Sequence, residues 1–204
     1  MDLVDPVIEL LEDLRPEQWN APSLCAGWRV RDVVSHMLMP YELTAPRFMT
    51  AMVVNRFDFD RVANTWALRD HRSSAELIEG LRAHGRFRVP GAGPDGELSH
   101  LVIHGLDLSY PLGKPLAITA EAANRTLDLL FLPKARGLVK PERLAGLSFA
   151  ATDTGWRRGD GPRVEGPAAA LILAIAGRTA ALPDLTGAGA DVLRRPAKSP
   201  SKLV

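Results

Sequence analysis

Leu3, Val7, Leu10, Leu11 and Leu14 recur at the spacing of one helix face. Asp5-Pro6 supplies a capping side chain and a first-turn proline near its start. Pro16 ends this helix and begins a short turn carrying Trp19, and residues 21–28 form a loop by their proline and glycine. A second apolar stripe runs through Val30, Val33, Val34, Met37 and Tyr41, with Pro40 kinking or ending that helix. Residues 44–70 are helical by composition, without a decisive stripe. Ser73-x-x-Glu76 is a capping box that opens a third helix, with Leu77, Ile78 and Leu81 inside and Gly85 at its end. Residues 89–96 read as a Pro/Gly loop, from which Asp95 caps a helix carrying Leu98, Leu101, Val102, Leu106 and Leu108. Thr119 caps a further helix through Ala122, Leu127, Leu130 and Phe131.

The pattern changes after about residue 137. Residues 147–152 alternate as a strand does, Asp153-Thr154-Gly155 is a turn, and residues 156–158 return from it. A further turn at 159–162 precedes a short strand at 163–165. Pro167 to Ala176 is an apolar helix stopped by Gly177, and Thr186 to Leu193 reads as a short helix. The expected organisation is an all-α helical bundle over 1–137, a small α+β domain over 138–197 and a flexible tail over 198–204. No internal repeat is visible.

Composition narrows the function. The 204 residues are 46% hydrophobic and 24% charged, ordinary values for a soluble globular protein. The net charge of +1 supplies no field for nucleic acid or anionic lipid. The longest apolar stretch, Ala168 to Ala176, is about half of a membrane span. The N-terminus lacks the basic-then-apolar order of a signal peptide, and a single cysteine, Cys25, allows no internal disulfide. The expectation is a cytoplasmic protein that binds neither nucleic acid nor membrane. The sequence does not fix its oligomeric state.

Candidate chemistry lies in the histidines. His100 and His104 are an i, i+4 pair on a strongly patterned helix, which places both imidazoles on one face within reach of one ion. Asp107, three residues on, can accept the second N–H of a ligand histidine and fix its tautomer. His36 lies beside the apolar stripe of the second helix and so points inward. Three protein ligands leave a tetrahedral ion one open position, the arrangement of catalytic rather than structural zinc. The same residues also read as a chance pair and a satisfied core histidine. His71 lies in a polar stretch, and His84 sits at a helix end where its positive charge suits the dipole. Neither needs a function. Trp19 and Trp28 read as core anchors, Arg31 and Asp32 as first-turn surface charges, and Cys25 as a small buried side chain.

Three ordered blocks carry a resemblance. The first runs from Leu14-Arg15-Pro16-Glu17-Gln18-Trp19 to Gly27-Trp28-Arg29-Val30-Arg31-Asp32 and on to His36. The second is Leu98 to Leu108 followed by Leu112-Gly113-Lys114-Pro115. The third joins Thr152-Asp153-Thr154-Gly155-Trp156, residues 164–168 and Ala176-Gly177-Arg178. Together they resemble the mycothiol-dependent maleylpyruvate isomerase family of DinB-like proteins, except over residues 44–90 and the tail. The resemblance implies a DinB-like up-down bundle with a sterol-carrier-like α+β C-terminal domain. It implies a divalent metal, zinc by preference, at His36, His100 and His104, with Asp107 behind them. It also implies mycothiol as thiol cosubstrate, a small electrophilic substrate, and Arg178 as a catalytic arginine for a substrate carboxylate. In the isomerase pattern a glutamate stands where this chain has His100, so this site is more positive by one unit. Three imidazoles also suit nickel, iron or copper. Three function classes stay open: a thiol-using isomerase or transferase, a DinB-like metal protein with a non-thiol role, and a non-enzymatic small-ligand module.

Overall fold

The computed structural model describes residues 4–84, 93–135 and 138–194. The expected helix stop at Gly85, the first part of the loop over 89–96 and the tail lie outside the described residues. The chain divides into two compact units, residues 1–118 and 119–204.

The first unit is helical. It contains α1 (Val4–Glu12), α2 (Val30–Glu42), α3 (Ala45–Val54), α4 (Phe59–Leu68), α5 (Ser74–His84) and α6 (Gly93–Ser109), with a 3-10 turn at Pro16–Asn20. Its core is the apolar stripe of each long helix: Val7 and Leu11 of α1, Val30, Val33, Val34, Met37 and Leu38 of α2, Leu77 and Leu81 of α5, and Val102 and Ile103 of α6. α2 continues through Pro40 to Glu42. Its first turn is built more tightly than first-turn surface charges would be. Asp32 is buried and accepts the Arg29 backbone N–H and a two-pronged guanidinium contact, each at 2.9 Å. Arg31 donates to the Arg72 and Asp70 carbonyls. The Ser73–Glu76 box caps α5 as expected: Glu76 accepts the Ser73 N–H at 2.7 Å, and Ser73 Oγ accepts the Glu76 N–H at 3.3 Å. α6 already includes residues 93–96. Gly105 lets α6 come close to its neighbours, since a Cβ there would lie 2.6 Å from Leu116 Cδ2 and 3.3 Å from Val7 Cγ2.

The second unit begins with α7 (Ala120–Leu130), capped by Thr119, whose Oγ1 accepts the Ala122 N–H at 3.2 Å. Sequence periodicity groups this helix with the bundle and puts the boundary at 137. The compact unit instead includes it, because its apolar face packs on α8 (Ala168–Ile175). The sheet has three strands in the order β2-β1-β3. β1 (Ser148–Ala151) pairs antiparallel with β2 (Arg157–Arg158) and parallel with β3 (Arg163–Gly166). Gly159 turns at φ +82°, and a Cβ there would meet the Leu147 carbonyl oxygen at 2.4 Å. Asp153 accepts the Ala168 N–H at 2.9 Å and so caps the apolar α8. α9 (Ala188–Arg194) completes the unit. Among the described residues, no helix is long and apolar enough to cross a membrane.

Candidate metal centre

The first unit brings the three predicted histidines together. α2 carries His36, and α6 carries His100 and His104 one turn apart. One nitrogen from each ring lies within 4.8 Å of the other two. The ring centroids stand 4.7 Å apart for His100 and His104, 4.8 Å for His36 and His104, and 5.4 Å for His36 and His100. A tetrahedral zinc ion needs its nitrogens roughly 3.3 Å apart, so small side-chain rotations close the set. Nδ1 of both His36 and His100 is buried with no hydrogen-bond partner. Such nitrogens are costly unless something occupies them, and a cation in the cluster fits that need.

The electrostatics favour lone pairs over positive charges. Burial lowers His36 to a pKa of about 3; His104 nearby adds to the shift and Asp107 opposes it. Burial also drives His100 well below its ordinary value, helped by His104 and His36. Both rings are therefore neutral at physiological pH, the form that binds metal. Asp107 is fully buried, with Oδ2 3.1 Å from His104 Nδ1. A carboxylate only accepts, so His104 carries its proton on Nδ1 and leaves Nε2 bare for an ion.

Two neighbours were not legible from the sequence. Cys25 is partly exposed rather than buried, and its thiol donates to the same Asp107 Oδ2 at 3.1 Å. Its sulfur lies 3.8 Å from His104 Nδ1. Trp28 is half-buried and stacks at a tilt over His36, with ring centroids 5.0 Å apart. The loop holding both is closed on itself: Ser23 Oγ and the Ser23 N–H donate to the Trp28 carbonyl at 2.8 and 3.0 Å. It is tied to α6 by the Leu24 N–H, which donates to the Asp107 carbonyl at 3.1 Å. Trp28 Nε1 donates to Asn64 of α4 at 2.9 Å. These partners are distant in sequence, so no local pattern announces them.

The turn of α2 before His36 is also held. Ser35 Oγ donates to Asp70 at 2.6 Å, and the Ser35 carbonyl accepts from Trp66 Nε1 at 3.1 Å. Burial works against the Asp70 carboxylate, but hydrogen bonds from Arg72 and Ser35 outweigh it and hold the pKa at about 2. Arg72 also pairs with Glu42 at 2.7 Å. His71 is exposed, and His84 is stacked on Tyr41. Arg178 belongs to the second unit, where its Nη1 donates to the Ala176 carbonyl at 2.8 Å at the end of α8.

Comparison with known proteins agrees with this architecture. Residues 2–95 match the model of the mycothiol maleylpyruvate isomerase N-terminal domain. That match includes His36 and stops short of His100 and His104. Two solved structures are similar over most of the chain: the mycothiol-dependent maleylpyruvate isomerase and a histidine-to-alanine mutant of it. They share 13% and 12% identity with this chain, each at a TM-score of 0.50, covering 91% of it and 88% of the solved chain. The likeness establishes the fold as a DinB-like helical bundle followed by a small α+β unit. No functionally curated protein matches the chain.

Proposed function

We propose that this chain, whose residues 2–95 match the model of the mycothiol maleylpyruvate isomerase N-terminal domain, is a metal-dependent enzyme that uses a low-molecular-weight thiol for isomerisation or S-transfer. The observation that carries this reading is the convergence of His36, His100 and His104, with Asp107 fixing the tautomer of His104. Zinc suits a set of neutral imidazoles with one open position. When bound, the cation supplies a Lewis acid that favours the thiolate form of a coordinated thiol. The family resemblance points to mycothiol as that thiol.

The chain's own residues do the rest. His36 and His100 offer lone pairs because burial keeps them neutral. Asp107 orients His104 and draws the Cys25 thiol to itself, which keeps that sulfur hydrogen-bonded. The tilted ring of Trp28 shields His36 from water. The thiol adds to an electron-poor double bond of a small substrate. If the sulfur leaves again after rotation, the result is isomerisation; if it stays, the result is transfer. His100 in place of a glutamate removes one negative charge from the ligand set, which favours anionic electrophiles and shifts substrate preference. Arg178 is the proposed anchor for a substrate carboxylate, and the C-terminal α+β unit is read as sterol-carrier-like. The setting proposed for this chemistry is the cytoplasm.

Metal analysis tests the first part. The purified protein should hold one equivalent of metal, and His104→Ala should lose it. Mycothiol tests the second: it should raise the melting temperature of the metal-loaded protein by mass action. A loaded protein that mycothiol leaves unshifted defeats the thiol reading and leaves a metal protein of another role.

A further inference from the structure

The α3–α4 hairpin of the first unit carries surface that the metal chemistry does not use. α3 has no buried residue along its ten positions. Its half-covered face, at Phe48, Ala51, Met52 and Asn55, looks inward, and Ala51 and Asn55 line a cavity of about 560 Å³ rather than packed core. Its other face is open, with Met49 54%, Val53 59% and Val54 74% exposed. Beyond α3, Phe57 in the turn is 65% exposed and Phe59, which opens α4 with its ring 6.3 Å from that of Phe48, is 47% exposed. Five of the nine exposed large hydrophobic side chains among the described residues thus fall within eleven positions.

The turn that joins the helices is strained. Arg56 and Phe57 both adopt left-handed backbone, at φ 56° and 61°. Non-glycine residues pay about 1–2 kcal/mol each for that conformation. The turn leaves the Phe57 ring 65% exposed.

The five side chains offer on the order of 500 Å² of apolar surface, toward the upper end of the roughly 300–600 Å² of the largest patch on a monomer, which is often functional. A standard interface buries about 800 Å² per partner with an apolar centre and a polar rim. The rim is present and of both signs. Arg47 stands in the first turn of α3, and Asp60 stands beyond its far end, in the first turn of α4. Both are exposed, and neither has an ion-pair partner among the described residues.

We propose that the α3–α4 hairpin docks on the same hairpin of a second copy of this chain. A two-fold axis across α3 would run the two helices antiparallel. It would set the end of α3 that carries Arg47 in each copy against the end near Asp60 in the other, so that opposite charges face. The mixed, nearly balanced charge of the rim suits a second copy better than an anionic lipid surface, which would call for a basic rim.

Sedimentation of the full metal-loaded chain, across roughly micromolar to hundred-micromolar concentrations, reads the result. The wild type should form a dimer. Val53→Glu should be monomeric at the same concentrations and should melt where the wild type melts when diluted to monomer. Arg47→Asp and Asp60→Arg should each weaken the dimer at least tenfold, because each places like charges together at both ends. An equimolar mixture of those two variants should restore wild-type association, since both contacts are then of opposite sign. A wild type that stays monomeric overturns the proposal. So does a mixture no tighter than its components, or a monomer that sediments with phosphatidylserine vesicles.

Discussion

α2 and α3 are consecutive helices of similar length with opposite surroundings. Nine of the thirteen residues of α2 are buried, including His36, while α3 buries none of its ten. α2 is fixed at its first turn and along its face: Arg29 and Asp32 cap it, and Ser35 is held by Asp70 and Trp66. α3 leans on a cavity. The difference fits the two proposed roles. A metal ligand at His36 would have to stand within a fraction of an ångström of its place, which a packed helix favours. A surface for a second copy would need apolar area and would be ordered only when the partner arrives.

Several measurements can break that contrast. The largest effect is expected at the ligands: His36→Ala or His104→Ala should abolish stoichiometric metal, whereas Val53→Glu should leave the metal content intact. Elemental analysis of all three decides it. Next, Met37→Ala in α2 should cost about 2–5 kcal/mol by opening a cavity, and Val53→Ala in α3 should stay within about 0.5 kcal/mol in the monomer. Equal losses in urea melts would mean that the two helices are equally packed. Asp107→Asn should weaken metal affinity by about 10- to 100-fold, as removal of a ligand's orienting partner does, with a smaller change in the melting of the metal-free protein. The smallest effect belongs to acid. Asp70 titrates near 2 in the folded chain, below its ordinary value, so its contribution is present above about pH 4 and fades as pH falls toward 2. Asp70→Asn should flatten stability against pH across that window by on the order of 1 kcal/mol. The metal-free wild type has an earlier slope. His36 and the other buried ring stay neutral when folded and take protons when unfolded, so stability falls as pH drops below about 6.5. A flat profile from pH 6.5 to 5 would place these rings in water.

Helical periodicity puts His100 and His104 on one face and His36 beside an inward stripe, but it leaves them as separable features; the family resemblance is what joins the three into one site. The Ser73 and Thr119 caps were local and therefore readable. Cys25 and Trp28 were not, because their partners Asp107, His36 and Asn64 are brought to them only by the closed loop and the packing of α4 and α6. Asp32 read as a surface charge because a first-turn carboxylate usually is one; here the Arg29 fork lets it be buried. Within 44–70, α3 shows no stripe because it has no buried face to require one, and α4 buries only Val62, Ala63 and Ala67, two of them alanines that mark a face weakly.

The single hydrogen bond from Leu24 to the Asp107 carbonyl has a consequence for the order of folding. The Ser23–Trp28 bonds close a loop of a few residues and can form in tens of nanoseconds. The Leu24 bond, like the approach of His36 to His100, joins residues more than sixty positions apart and must wait for α6. The proposed metal centre would therefore be among the last features to assemble, and the rate of metal capture during refolding should report the docking of α6 rather than the formation of α2.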